Sequence, residues 1–121
     1  MGSLNGVVDQ LKQFVYRRGI SYSLDSFLKL LLRLGNPHHD LNPVIHVAGT
    51  NGKGSTVQFV AAGLRACGYC VGVYSSPHLL SYLERMTIDG SLIDHDDFCT
   101  LFGQVQSVLD DEILATEFEI L

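Results

Sequence analysis

Basic residues are scarce: 8 lysines and arginines stand against 13 aspartates and glutamates, a formal net charge of −5. That balance removes any general electrostatic case for a nucleic-acid partner. The pair Arg17-Arg18 is too small for a binding patch and reads as a solvated helix end. Long apolar runs are missing as well. No segment approaches the roughly 20 unbroken apolar residues of a membrane span, and Lys29 and Arg33 interrupt the run from Phe27 to Leu34. No membrane partner is expected. The N-terminus lacks a basic region followed by an apolar stretch, so no secretion signal is expected either. The cysteines number three. An odd count without a secretion signal points to a reduced, cytoplasmic protein. Cys67 and Cys70 form a C-x-x-C pair, but no second pair supplies further metal ligands. They read as a small residue at a helix end and another at a strand start. No internal repeat or low-complexity segment stands out. What is present is a globular composition, 46% hydrophobic and 17% charged over 121 residues, enough for one domain with a modest core.

Apolar periodicity predicts a helix over about 6–18, with Val7, Val8, Leu11, Phe14 and Val15 on one stripe and Gly19 as its end. A second helix should follow Ser23, with Leu24, Phe27, Leu28, Leu31 and Leu32 as a wide apolar face. Gly35-Asn36-Pro37 should stop it, and 38–43 should be a polar connector. Val44-Ile45-His46-Val47-Ala48 reads as a short buried strand of a parallel sheet. A glycine-rich loop follows at once, then a helix from near Gly54-Ser55 carrying Val57, Val60, Ala61 and Leu64, ended by Gly68. Cys70–Tyr74 reads as a second strand, which would complete a right-handed βαβ unit. Met86-Thr87-Ile88 and Leu92-Ile93 flank Asp89-Gly90-Ser91 as a small hairpin. A helix is expected over 96–109, burying Phe98, Leu101, Phe102, Val105, Val108 and Leu109. Thr116-Glu117-Phe118-Glu119 has the form of a capping box and announces a helix from Glu117. Only five residues of it precede Leu121, too few to hold themselves in water, so the sequence is expected to be cut off, not finished.

The chemistry concentrates in Gly49-Thr50-Asn51-Gly52-Lys53-Gly54-Ser55. Phosphate oxygens need donors, and backbone amides supply them where the chain approaches closely and turns sharply. Gly49, Gly52 and Gly54 remove obstructing side chains. The amides around 52–55 would open onto a helix N-terminus, whose dipole favours an anion. Lys53 adds a full positive charge for the outer phosphates, and Ser55 or Thr56 offers a hydroxyl to the β-phosphate or a metal. The sequence departs from the usual G-x-x-x-x-G-K-S/T pattern: Val47 takes the first glycine's place and Gly54 sits between Lys53 and Ser55. Its place between a strand and a helix is what the mechanism demands. A glycine-rich turn with an incidental lysine is the plain alternative.

The stretch VIHVAGTNGKGS, Val44 to Ser55, resembles the glycine loop of the folylpolyglutamate synthase/dihydrofolate synthase family, part of the Mur ligase superfamily. Ser76-Pro77-His78-Leu79 resembles that family's S-P-H-L segment, Glu84-Arg85 its E-R pair, and Leu34-Gly35-Asn36-Pro37 its L-G-N-P. The likeness is collinear from about Ile20 to Leu121.

The resemblance implies a P-loop NTPase-like α/β fold, a parallel sheet flanked by helices, here truncated after the first two or so core strands. It implies that residues 1–121 are the N-terminal part of an ATP-binding domain. The rest of that domain, with a magnesium glutamate, an E-x-G-x-G-G stretch and a histidine ligand, would be absent. So would a C-terminal glutamate-ligase domain. It implies L-glutamate joined to dihydropteroate or folate through an acyl phosphate, with ATP and Mg2+ as cofactors, in a cytoplasmic protein that is a monomer when full length. Carried over by position, Gly49, Thr50, Asn51, Gly52, Lys53, Gly54, Ser55 and Thr56 hold ATP, with Lys53 catalytic through charge neutralisation. Ser76 matches a magnesium-ligating serine, otherwise a turn hydroxyl before Pro77. Thr116 and Phe118 match positions of the pterin pocket, otherwise a helix cap and a core aromatic; Ile20, Ser21 and Tyr22 fall where another part of that pocket lies. His78 would contact substrate or phosphate, or cap a loop. Such a chain is not expected to ligate by itself. Another Mur-type amide ligase and a non-catalytic nucleotide-binding module are the competing readings.

Overall fold

The computed structural model describes residues 3–14, 24–41, 43–113 and 115–121. They fall into two compact units, Met1–Pro43 with Asp96–Leu121, and Val44–His95.

The first unit is helical. Helix α1, Leu4–Phe14, buries Val7 and Leu11, one turn apart on the expected stripe, and lies against the short helix α5, Glu117–Ile120. Helix α2, Asp25–Arg33, departs from expectation. Leu30 is its buried residue, whereas Leu24, Leu28 and Leu32 of the expected face are 61%, 53% and 66% exposed. A face rich in leucine offers two neighbouring stripes, and composition does not say which one is covered. The helix ends as foreseen. Gly35 at φ 81° donates to Leu32 O and Asn36 to Leu31 O, the paired bonds that close a helix through a left-handed glycine. The expected connector begins as a 3₁₀ turn, Pro37–Asp40. Helix α4, His95–Val108, buries Phe98 and Phe102 but leaves Leu101 half exposed. The Arg33 guanidinium joins α2 to the segment after α4, donating to Val108 O at 3.0 Å and to the Asp110 carboxylate at 2.6 Å. That contact holds the Asp110 carboxyl below its ordinary range. Thr116 caps α5 reciprocally with Glu119, as the sequence announces.

The second unit holds helix α3, Lys53–Ala66, and a three-stranded antiparallel sheet, β1 Gly72–Tyr74, β2 Met86–Ile88 and β3 Ser91–Leu92, in the order β1-β2-β3. Gly68, φ 88°, ends α3 with the same pair of closing bonds, from Gly68 to Arg65 O and from Tyr69 to Leu64 O. Asp89 and Gly90 both have positive φ, 51° and 83°, and connect Ile88 to its partner Ser91 in a two-residue hairpin.

The expected parallel sheet is not seen among the described residues, whose strands form the antiparallel sheet alone. Val44–Ala48 forms no ladder among the described residues, and Val44 and Ile45 are 69% and 57% exposed. A strand exists only where a neighbour takes its amides and carbonyls. The expected neighbour, β1, pairs antiparallel with β2, Gly72 opposite Ile88 and Tyr74 opposite Met86, and no described strand borders its other edge. That pairing closes over a short connection and requires no crossover.

Candidate functional site

The glycine loop enters α3 through backbone geometry that a side chain would resist. Gly52 is the N-cap residue at φ 75°, and Gly49 sits at φ 151°. Thr56 is the first residue whose amide closes back into the helix, onto Gly52 O at 2.9 Å. The amides of Gly52, Lys53, Gly54 and Ser55 therefore have no acceptor within the helix, and no side chain caps them. All four residues are exposed. Four donors at the positive end of a 14-residue helix are an arrangement that favours an anion. A Cβ placed on Gly52 or Gly54 would meet nothing within 4 Å. Internal crowding is thus not why glycine stands there. Gly52 is needed for its dihedral, and Gly54 leaves open the space from which an anion would come.

Lys53 reaches back over the loop, its ammonium donating to Gly49 O at 2.7 Å. That contact places a full charge at the loop mouth and ties the loop's first glycine to its last turn. Thr56 Oγ1 donates to Gly52 O at 2.9 Å, which turns its hydroxyl towards its own helix. Ser55 and Thr56 are both exposed. Thr50 and Asn51 are exposed in the loop.

Downstream of β1 a second loop is built from its own side chains. Glu84 accepts from the amides of Leu79, Leu80 and Ser81 at 3.0, 2.8 and 2.6 Å, while Ser81 Oγ accepts from Leu83. These bonds, that from Leu79 foremost, hold the Glu84 carboxyl below its ordinary range. Arg85 Nε donates to His78 Nδ1 at 2.8 Å. The buried Tyr82 lies beside both, 4.3 Å from the His78 ring and 5.0 Å from the guanidinium carbon. Tyr82 escaped the sequence reading. The signal was there: Ser81-Tyr82-Leu83-Glu84 is itself a capping box.

Gly49 to Thr56, Ser76 and His78 all belong to the second unit. Ser76 is exposed. Thr116 and Phe118 belong to the first unit, Thr116 occupied as a cap and Phe118 59% exposed, so it is no core aromatic. Ile20, Ser21 and Tyr22 lie outside the described residues. No group of three histidine, cysteine or carboxylate residues gathers as a metal site among the described residues. Cys67 caps the end of α3, and the Cys70 thiol is pushed up by its hydrogen bond to Asp89. Both cysteines are free and exposed, and Cys70 lies two residues before β1, not in it.

No family model matches the chain. The dihydrofolate synthase/folylpolyglutamate synthase of Bacillus subtilis is 37% identical over 108 residues, covering 85% of this chain and 25% of that protein. Among solved structures, the bifunctional folylpolyglutamate synthase/dihydrofolate synthase of Yersinia pestis, complexed with AMPPNP and Mn ion, is 35% identical. Its TM-score is 0.83, over 99% of this chain and 28% of that one. E. coli FolC in complex with DHPP and ADP is 32% identical with a TM-score of 0.78, over 99% of this chain and 29% of that one. The chain spans about a quarter of the length of the curated relative it matches. No helix among the described residues is long and apolar enough to cross a membrane.

Proposed function

We propose, since the chain belongs to the folylpolyglutamate synthase/dihydrofolate synthase family, that it is the nucleotide-binding portion of a Mur-type ligase. Its reaction class is ATP-dependent amide formation between L-glutamate and the carboxyl group of dihydropteroate or a folate, through an acyl phosphate. The observation that carries the reading is the run of unpartnered amides from Gly52 to Ser55 with the Lys53 ammonium beside them. That arrangement fits a triphosphate. Gly49, Thr50 and Asn51 shape the loop, Gly54 leaves room for the phosphates, and Ser55 and Thr56 flank them.

The same residues fit a divalent cation poorly. Ser76 contributes one exposed hydroxyl, and no carboxylate cluster joins it among the described residues. A hydroxyl alone is a weak magnesium ligand, so the remaining oxygens would come from the nucleotide or from residues beyond this chain. Phe118 offers an exposed aromatic face to a flat heterocycle, and Thr116, His78, Ile20, Ser21 and Tyr22 complete the proposed substrate contacts. In a longer chain Val44–Ala48 and β1 would join the expected parallel sheet; the apolar, unladdered character of the former supports this. The 121 residues alone would bind nucleotide without ligating. The proposed setting is cytoplasmic and the full-length form monomeric.

Isothermal titration of the chain with AMPPNP and Mg2+ tests the reading. Binding should be present in the wild type and weaker by about tenfold or more in Lys53→Ala, the loss of one charge-assisted contact. Equal affinity in the two proteins rejects it. Glutamate addition to dihydropteroate by the purified 121 residues would overturn the claim of inactivity.

A further inference from the structure

Three side chains of the second loop act on one imidazole. Arg85 Nε donates to His78 Nδ1 at 2.8 Å. Tyr82, 8% exposed, backs both groups and restricts the ring's rotation. Glu84 fixes the backbone just after the histidine through the amides of Leu79, Leu80 and Ser81. An imidazole nitrogen that accepts a hydrogen bond carries no proton. The ring's single proton then sits on Nε2. No acceptor among the described residues takes that Nε2–H, while Nδ1 is satisfied.

We infer that Arg85 is a positioning residue: it locks His78 as the Nε2–H tautomer and so presents one neutral donor to an anionic oxygen, a phosphate or a carboxylate. The guanidinium is suited to this task. Its Nε–H is held in a planar fork, always protonated, and cannot accept a proton from the ring. A lysine carries the same charge on a flexible stem and lacks the fixed donor. The identity of the oxygen rests on the ligase reading above; the tautomer does not.

The test is a long-range proton–nitrogen correlation spectrum of the histidine side chains in the 121-residue chain, with His78 assigned by His78→Gln. In the wild type the proton should reside on Nε2 over Nδ1 by about tenfold or more. Arg85→Ala and Arg85→Lys should both return a mixture of tautomers. A proton on Nδ1 in the wild type overturns the inference, as does an unchanged spectrum in a folded Arg85 variant. The wild-type spectrum alone decides if neither variant folds. This readout needs no nucleotide, so a failure of ATP binding leaves it intact. Titration with inorganic pyrophosphate and, separately, glutarate then asks for the acceptor. A shift of the Nε2–H with either probe, weakened about tenfold in Arg85→Ala, supports the donor role and tells phosphate from carboxylate. Movement with neither probe removes that role.

Discussion

Gly52 and Gly54 stand two residues apart and are glycine for different reasons. Gly52 holds φ 75°, a left-handed conformation in open space. Gly52→Val should destabilise the second unit by roughly 1–2 kcal/mol, the cost of that conformation for a residue with a Cβ, readable as a lower midpoint in urea. Gly54 has an ordinary helical backbone and open space above it. Gly54→Ala should leave stability unchanged or raise it by about 0.4–1 kcal/mol, yet weaken nucleotide binding, because its methyl group stands where the phosphates approach. A variant that is both more stable and poorer at binding separates ligand space from folding. Glu84 gives a residue-level pH prediction. Its folded pKa is lowered by three amide donors, that of Leu79 foremost. Its contribution is therefore complete above the ordinary glutamate range and is lost as pH falls through the depressed folded value. Amide exchange at Leu79, Leu80 and Ser81 should stay slow on acidification past the usual glutamate range and quicken below it. Quickening already above that range contradicts the assignment.

Elements were legible in the sequence where local chemistry decides them. Gly35 and Gly68 mark two helix ends through the same pair of closing bonds. Asp89-Gly90 marks a two-residue turn, and Thr116 to Glu119 a cap. Each is settled within six residues, and each is where it was expected. Removing the cap by Thr116→Ala should lower stability by about 0.5–2 kcal/mol and loosen α5, seen as faster amide exchange at Glu119. What the sequence left open depends on neighbours. The leucines of α2 allow two buried faces, and Leu30, not Leu28 or Leu32, is the one covered. Leu30→Ala should accordingly cost about 2–5 kcal/mol, while Leu28→Ala should cost well under half as much. Equal losses at the two positions contradict the burial pattern. Val44–Ala48 has the composition of a buried strand, but a ladder needs a second strand at the right edge, and composition cannot supply it. The glycine loop could be found from spacing alone. The loop of His78, Tyr82, Glu84 and Arg85 could not, since its contacts run between side chains whose meeting depends on a turn.

At the scale of the molecule, two units share the chain. The glycine loop and the histidine loop belong to one, while Thr116 and Phe118 belong to the other. The similarity to the relatives covers nearly the whole chain and about a quarter of their length, so the activity proposed is that of the family's longer members. What the proposal assigns to this chain on its own is the anion site. The most direct measurement is therefore an amide-resolved NMR titration of the 121 residues with AMPPNP. The largest shifts should fall on the amides of Gly52, Lys53, Gly54 and Ser55, and Lys53→Ala should abolish or greatly weaken them. Shifts centred elsewhere, or an undiminished response in Lys53→Ala, would contradict the account.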